Sequence, residues 1–203
     1  MCRPILLSIL LAMLLLAGEL LRAAEDVDTV AGLLELVIEV DADTAQQCLR
    51  TLTAKMQTGE VDAKQTAQLK EQLGTTIGKI VRDAKHPLFL DASLLAVSWR
   101  DAPASAVVRR IFSEGQQPPE LRLRCLEALI AANDADAIAL AAQVLADAKG
   151  NSPSFRGQLL AILGRGNNIV IAEVVLKNYA NFEPELQPKA IELLTQRPAW
   201  SGS

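Results

Sequence analysis

The residues that could carry acid–base, nucleophilic or metal chemistry are few and far apart in this sequence. His86 is the only histidine, and Cys48 and Cys125 are the only cysteines beyond Cys2. A catalytic or metal site needs several such groups brought together, and a lone imidazole beside Pro87 is typical of a loop residue. The sequence therefore predicts no catalytic residue, no cofactor and no metal site, and hence a protein that is not an enzyme.

Two pairs of carboxylates have a spacing that could suit acid–base work. They are Asp41 with Asp43, and Asp134 with Asp136. Each pair stands at the start of an apolar helical pattern. There, side-chain oxygens accept hydrogen bonds from the free N–H groups of the first turn, and negative charge suits the helix dipole. Helix capping is therefore the favoured interpretation of both pairs.

Polar side chains that recur at a fixed spacing are the candidates for a binding surface. Three lie three residues after a recurring proline and three lie five residues after it: Arg122, Arg156 and Gln187, and Arg124, Gln158 and Lys189. Stacked helices would align them as a ladder of hydrogen-bond donors, on the face where extended partners bind. Such stripes are more often salt-bridged or solvated helix surface. The carboxylates offered for that alternative are Glu120, Glu127, Glu185 and Glu192.

The prolines that set this spacing open four similar segments. They are Pro87, Pro119, Pro153 and Pro184, which lie 32, 34 and 31 residues apart. Each is followed by an apolar residue at the second position, a small or apolar one at the sixth, and aliphatic residues at the seventh and tenth. This spacing places one face of an α-helix in a core, and proline suits the first helical turn. A weaker copy without proline begins at Ala42.

Other amphipathic stretches lie between these helices, and no run alternates over the length of a strand. Two helices per 31–34 residues predict stacked helical hairpins, each burying its apolar face against its neighbours. We expect an all-α protein, a right-handed α-solenoid of about five armadillo-like helical hairpins. Their ranges are 26–58, 62–99, 101–131, 134–165 and 168–197. The proline that opens the second helix and the arginine one turn later resemble HEAT repeats.

Cys48 and Cys125 occupy the same small apolar position in two copies of the repeat. They are therefore predicted to fill the core. Two copies lie about two repeat widths apart, whereas the Cα atoms of a disulfide lie within about 7 Å. We expect both to be free thiols.

The first 24 residues have the pattern of a secretory signal. Arg3 precedes an uncharged stretch at residues 5–18, and Ala23 and Ala24 precede the acidic Glu25. This predicts an extracytoplasmic protein, periplasmic or secreted, with the solenoid at 25–200 and a short tail at 201–203. Because the cleavage site lacks a small residue three positions back, an uncleaved N-terminal membrane anchor is the alternative.

Composition narrows the class of partner. The chain has 203 residues, of which 50% are hydrophobic and only 3% aromatic, and its formal net charge is −4. The hydrophobic fraction is large enough to form a buried core. The chain lacks the excess of basic residues and the aromatic side chains that nucleic-acid-binding proteins use to contact phosphates and stack on bases. We expect a protein partner and no nucleic acid.

Residues 179–200, with Leu-Thr-Gln-Arg-Pro at 194–198, resemble a repeat found in large exported haem-binding proteins of planctomycete-type bacteria. In that family a HEAT-like region precedes a c-type haem domain and accompanies a dehydrogenase-like propeller. The resemblance extends over residues 87–200. The family's Cys-x-x-Cys-His haem motif is missing from this sequence. The resemblance thus implies a scaffold without the redox centre.

Two functions follow from these observations. The first is an exported, non-enzymatic HEAT-repeat scaffold for protein–protein interaction. The alternative is a truncated scaffold segment of a haem-binding dehydrogenase and cytochrome system without its catalytic domains. The last predicted helix, which begins at Pro184, carries apolar residues on several sides, so a dimer through this C-terminal helix is also expected.

Overall fold

The computed structural model describes residues 24–197 and Trp200. The predicted signal sequence up to residue 23 and the tail at 201–203 lie outside the described residues. The described part contains ten α-helices and no strand, which confirms the all-helical prediction. The helices are α1 Ala24–Val40, α2 Ala42–Thr58, α3 Ala63–Arg82, α4 Phe89–Ser98, α5 Ala102–Ser113, α6 Pro119–Ala131, α7 Ala135–Ala146, α8 Pro153–Leu163, α9 Val170–Tyr179 and α10 Gln187–Thr195.

Side-chain caps fix the start of several helices where the sequence predicts them. The Asp41 carboxylate accepts from the backbone N–H of Asp43 at 3.1 Å. Asp134 accepts from Ala137 N at 3.0 Å in the same way, and Ser152 accepts from the first turn of α8. These bonds satisfy N–H groups that have no partner inside the helix. The capping interpretation of Asp41 and Asp134 is confirmed.

Two of the four repeated helices begin at their proline, and in the other two a hydrogen-bonded turn lies between the proline and the start of the helix. Pro119 and Pro153 are the first residues of α6 and α8. After Pro87 and Pro184, by contrast, the chain first closes hydrogen-bonded turns, and α4 and α10 begin two and three residues later. The expectation of a helix beginning at Pro184 is therefore wrong by about one turn.

The chain divides into two compact units, one up to Ala104 and one from Ser105. In unit 1, α1 packs against α2 and α3, and α4 packs against α2 and α3. Leucines and isoleucines from all four helices form its core. The buried set includes Leu34, Leu49, Leu69, Leu73, Ile77 and Leu95.

In unit 2, each of α7, α8 and α9 also packs against a sequence neighbour and against a helix two places away. One row consists of α6, α8 and α10, and α7 and α9 pack beside each other. The core of this unit includes Phe112, Leu126, Leu129, Leu145, Leu160 and Val175. The row of α6, α8 and α10 brings the repeated polar positions of three successive copies onto packed helices.

Both cysteines of the described chain are buried and unbonded, as the repeat register predicts. Burial raises the pKa of Cys48. It raises the pKa of Cys125 to about 12, against the opposing effect of nearby Arg124. Both pKa shifts favour the neutral thiol over the reactive thiolate, which agrees with a packing role.

None of the described helices is both long enough and apolar enough to cross a bilayer.

Candidate functional site

Arg122 on α6 is 4% exposed. Its Nε donates to the backbone oxygen of Phe112 at 2.8 Å, and its Nη1 donates to Asn151 Oδ1 at 2.9 Å. Its guanidinium also lies 4.5 Å from the centre of the Phe155 ring. Burial lowers the pKa of Arg122, and Asp147 opposes that effect. Arg122 therefore joins the end of α5, where helix carbonyls lack partners, to the loop that precedes α8.

Arg156 on α8 repeats this arrangement one hairpin later. It is 1% exposed, and its Nη1 donates to the backbone oxygen of Leu145 at 3.1 Å, near the end of α7. Its Nη2 forms an ion pair with Glu183, in the loop that precedes α10. The pKa of Glu183 is lowered by a hydrogen bond from the backbone N–H of Glu183 and by Arg156, whereas burial acts in the opposite direction. Arg156 therefore joins α7, α8 and the approach to α10.

The structure corrects the predicted partner-binding face at these two positions. Arg122 and Arg156 were expected on an open surface, but both are buried and bonded within the chain. The reason is that this position of the repeat turns toward the end of the preceding helix, whose carbonyls need donors. Gln187, at the same position of the next copy, is half-buried and donates to Phe182 O at 3.2 Å.

Asn151 and Glu183, which the sequence analysis missed, are the acceptors that complete the two arginine contacts. Asn151 precedes Pro153 by two residues, and Glu183 precedes Pro184 directly. A polar side chain just before the repeated proline is the signal that would have indicated them. Arg156 thus pairs with a carboxylate of the next repeat, as the alternative interpretation expects, but this carboxylate, Glu183, is not one of the four glutamates named for it. Of those four, Glu127 pairs with Arg165 at 2.9 Å.

The other polar row stays at the surface. Arg124 is half-buried, and Gln158 and Lys189 are exposed. The last two meet at a groove of about 210 Å³ between α8 and α10. The groove is lined by Gly157, Gln158, Leu160, Ala161, Lys189, Glu192, Leu193 and Gln196.

Two glycines let side chains of α10 and its end lie close to α8. A Cβ on Gly157 would stand 2.5 Å from Lys189 Nζ, and one on Gly164 would stand 2.7 Å from Gln196 Oε1. Lys189 and Gln196 therefore lie close to the backbone of α8, and both line the groove. Leu160, Ala161 and Leu193 supply its apolar lining, and Glu192 adds a carboxylate.

The lining sets what this groove can do chemically. It offers one ammonium group, one carboxylate and two amides around an apolar floor. These groups can hydrogen-bond and pair with charges. Its volume is below the roughly 300–1,000 Å³ of sites that enclose small molecules, so it suits a single side chain or a short segment of a partner.

Unit 1 contains a different buried charge, which the sequence analysis also missed. Asp91 on α4 is 1% exposed. Its carboxylate accepts from Gln46 Nε2 at 2.8 Å and from Arg50 Nε at 3.0 Å, both on α2. The sequence signal is a single carboxylate inside the apolar stretch of α4. Its bonds hold α2 against α4.

His86 lies in the turn before α4, where its Nδ1 accepts from Leu88 N at 3.1 Å, which confirms it as a loop residue. Across residues 24–197 and Trp200, no group of three His, Cys, Asp or Glu side chains is placed to hold a metal ion.

No family model matches the chain, and comparisons with curated proteins and with solved structures give no match.

Proposed function

We propose that this chain is an exported, non-enzymatic α-solenoid of HEAT-like hairpins that binds another protein. The solenoid is supported by the packing within each unit, where helices contact sequence neighbours and helices two places away. That pattern is the one expected of hairpins stacked side by side. The two buried arginines support it further, because each connects one hairpin to the loop of the next.

The observation that carries the proposed binding is the groove between α8 and α10. Its apolar floor lies between Lys189 and Glu192 on one helix and Gln158 on the other. A buried apolar contact surrounded by polar groups is the usual arrangement of a protein-binding surface. The partner's segment places an apolar side chain over Ala161, an acidic group near Lys189 and a donor near Glu192.

Site-specific photo-crosslinking in the host cell tests this proposal. A photoreactive residue replaces Ala161, which is exposed and lines the groove, and in a matched control it replaces Ala139, which is exposed on α7. We expect a discrete protein adduct from position 161 and none from position 139. Lys189→Glu should weaken that adduct, because it reverses the charge that receives the acidic group.

Equal adducts from both positions, or no adduct from position 161, would contradict binding at this groove. An adduct that Lys189→Glu leaves unchanged would contradict the proposed chemistry of the partner segment. Arg110→Glu is the charge-reversal control, since Arg110 is exposed on α5 and does not line the groove.

Export is the part of the proposal that rests on the sequence pattern of the first 24 residues. Fusion of residues 1–30 to alkaline phosphatase, an enzyme active only after export, tests it. We expect phosphatase activity, and loss of activity when the uncharged stretch at 5–18 is interrupted by two arginines. An inactive fusion that is stably produced would contradict export.

A further inference from the structure

The exposed face of α9 carries large apolar side chains that the protein leaves in contact with solvent. Ile169, Val170 and Leu176 are 44, 41 and 45% exposed. Single exposed apolar residues are ordinary on protein surfaces, whereas several on one face indicate a contact surface. Ile169, Leu176 and Ala180 lie within about 40° of one another around the helix, and Val170 lies about 100° from Ile169 at the edge of this face. The backbone at both ends, Ile169 and Ala180, keeps right-handed helical angles, so the face continues over the whole length of α9.

Two opposite charges lie on the same side of α9. Glu173 and Lys177 are both exposed and stand one turn apart. Within the described part of the chain, neither has an ion-pair partner. Opposite charges on one surface are the feature that allows a surface to match a copy of itself.

We propose that the α9 face binds the α9 face of a second copy of this chain, antiparallel and about a two-fold axis that crosses the exposed face at the level of residue 175 along the helix. With this axis, Glu173 of each copy lies opposite Lys177 of the second copy, because both are two residues from the centre. The two Leu176 side chains are then offset by only about 3 Å along the helices and pack together. Ile169 of each copy reaches Ala180 of the second copy. The apolar and charged groups therefore match in one and the same register.

The charges also exclude other registers. An axis at residue 173 would bring two glutamates together, and an axis at residue 177 would bring two lysines together. A parallel arrangement in register would oppose like charges at both positions. Only the antiparallel arrangement centred at the level of residue 175 pairs both charges, and like-charge contacts cost enough to suppress the alternatives.

This inference differs from the sequence prediction of a dimer through the C-terminal helix. In α10 and the turn before it, Leu186, Ala190 and Leu193 are buried, and Ile191 is exposed. The α9 face shares no residue with the groove between α8 and α10. Failure of the dimer and failure of the proposed binding at the groove are therefore separate outcomes.

Sedimentation velocity of the purified full chain over a wide concentration range tests the dimer. One face of one short helix is smaller than a standard interface of ~800 Å² per partner, so we expect a concentration-dependent dimer. Leu176→Glu should yield a monomer. Glu173→Lys should weaken the dimer at least about tenfold, because it creates two like-charge contacts.

The decisive variant reverses both charges. Glu173→Lys with Lys177→Glu restores opposite charges across the two-fold axis, so the dimer should return to within about threefold of the original dissociation constant. Leu36→Glu, at a leucine on α1 of unit 1 that is 55% exposed, is the matched control and should leave the dimer unchanged. Circular dichroism confirms that each variant is folded.

A chain that stays monomeric at every concentration would overturn the proposal. So would a dimer that survives Leu176→Glu. A double charge reversal that fails to restore the dimer lost in Glu173→Lys would show that α9 does not meet a second α9.

Discussion

Each of the two units of the molecule buries a charged side chain, and the sign of the charge differs between them. In unit 1 the buried group is the Asp91 carboxylate, and its donors come from Gln46 and Arg50. The Arg50 side chain remains 48% exposed. In unit 2 the buried groups are the guanidiniums of Arg122 and Arg156, and each bonds to a backbone carbonyl and to a loop residue.

This difference indicates which polar group is left without a hydrogen-bond partner when one side chain of the contact is removed. A half-exposed donor such as Arg50 can turn to water when Asp91 is removed. A buried helix carbonyl such as that of Leu145 cannot, and an unpaired polar group in the interior is costly. The contacts of unit 2 should therefore be harder to replace than that of unit 1.

The largest expected effect is that of Arg156→Ala. It leaves Leu145 O without its donor and Glu183 without its counter-ion, and it opens a cavity, so we expect a loss of about 3 kcal/mol in the free energy of unfolding. Urea unfolding measures it through Trp200 fluorescence in a Trp99→Phe background, because these are the only two tryptophans.

Arg165→Ala is the matched control for that variant. Arg165 also forms an ion pair in unit 2, with Glu127, but its side chain is 69% exposed. Its removal should cost less than about 1 kcal/mol. Equal losses for the two arginines would show that burial does not decide the effect.

Arg122→Lys should give the second largest effect. A lysine keeps the charge but loses the planar group that bonds Phe112 O and Asn151 together and covers the Phe155 ring. We expect a loss of about 2 kcal/mol in urea unfolding. An unchanged stability would mean that charge alone is sufficient at this position.

Asp91→Asn sharpens the comparison from the side of unit 1. The amide still accepts one hydrogen bond, and Arg50 can turn to solvent, so we expect a loss of about 1 kcal/mol. The measurement uses Trp99 fluorescence in a Trp200→Phe background. A loss larger than that of Arg156→Ala would reverse the ranking of the two units.

Acid pH should produce the smallest and most specific effect. The pKa of Glu183 lies below its ordinary value of 4.5 in the folded protein because of its own backbone N–H and Arg156. Its contribution to stability is therefore complete above about pH 4.5 and is lost as the pH falls through the folded pKa. The stability difference between the unsubstituted chain and Glu183→Gln should be constant from neutral pH to about pH 5 and shrink below that.

A difference between these two proteins that does not change with pH would show that the Glu183 charge contributes nothing to the contact with Arg156. Glu120→Gln is the control, because Glu120 is exposed in the first turn of α6.

The sequence predicts the helices well because their signals are local. Apolar spacing, the caps at Asp41 and Asp134, and the small position of Cys48 and Cys125 all act within one or two turns. The same spacing places Arg122 and Arg156 correctly in the repeat. It does not show that this position turns toward the end of the previous helix.

The rest of the candidate site depends on contacts between distant residues. Arg122 and Asn151 are 29 residues apart, and Arg156 and Glu183 are 27 residues apart. Which loop residue meets a guanidinium depends on the path of the loop and on how successive hairpins pack. The groove between α8 and α10 likewise results from the packing of two helices and from Gly157, and no local pattern indicates it.

Hydrogen exchange measured by mass spectrometry on the full chain and on Arg156→Ala tests most directly whether Arg156 couples the helices that form the groove. We expect faster exchange in α8, in the end of α7 and in α10 together, with α1–α4 unchanged, because Arg156 bonds to Leu145 O and to Glu183 before α10. Faster exchange confined to α8 would contradict this account.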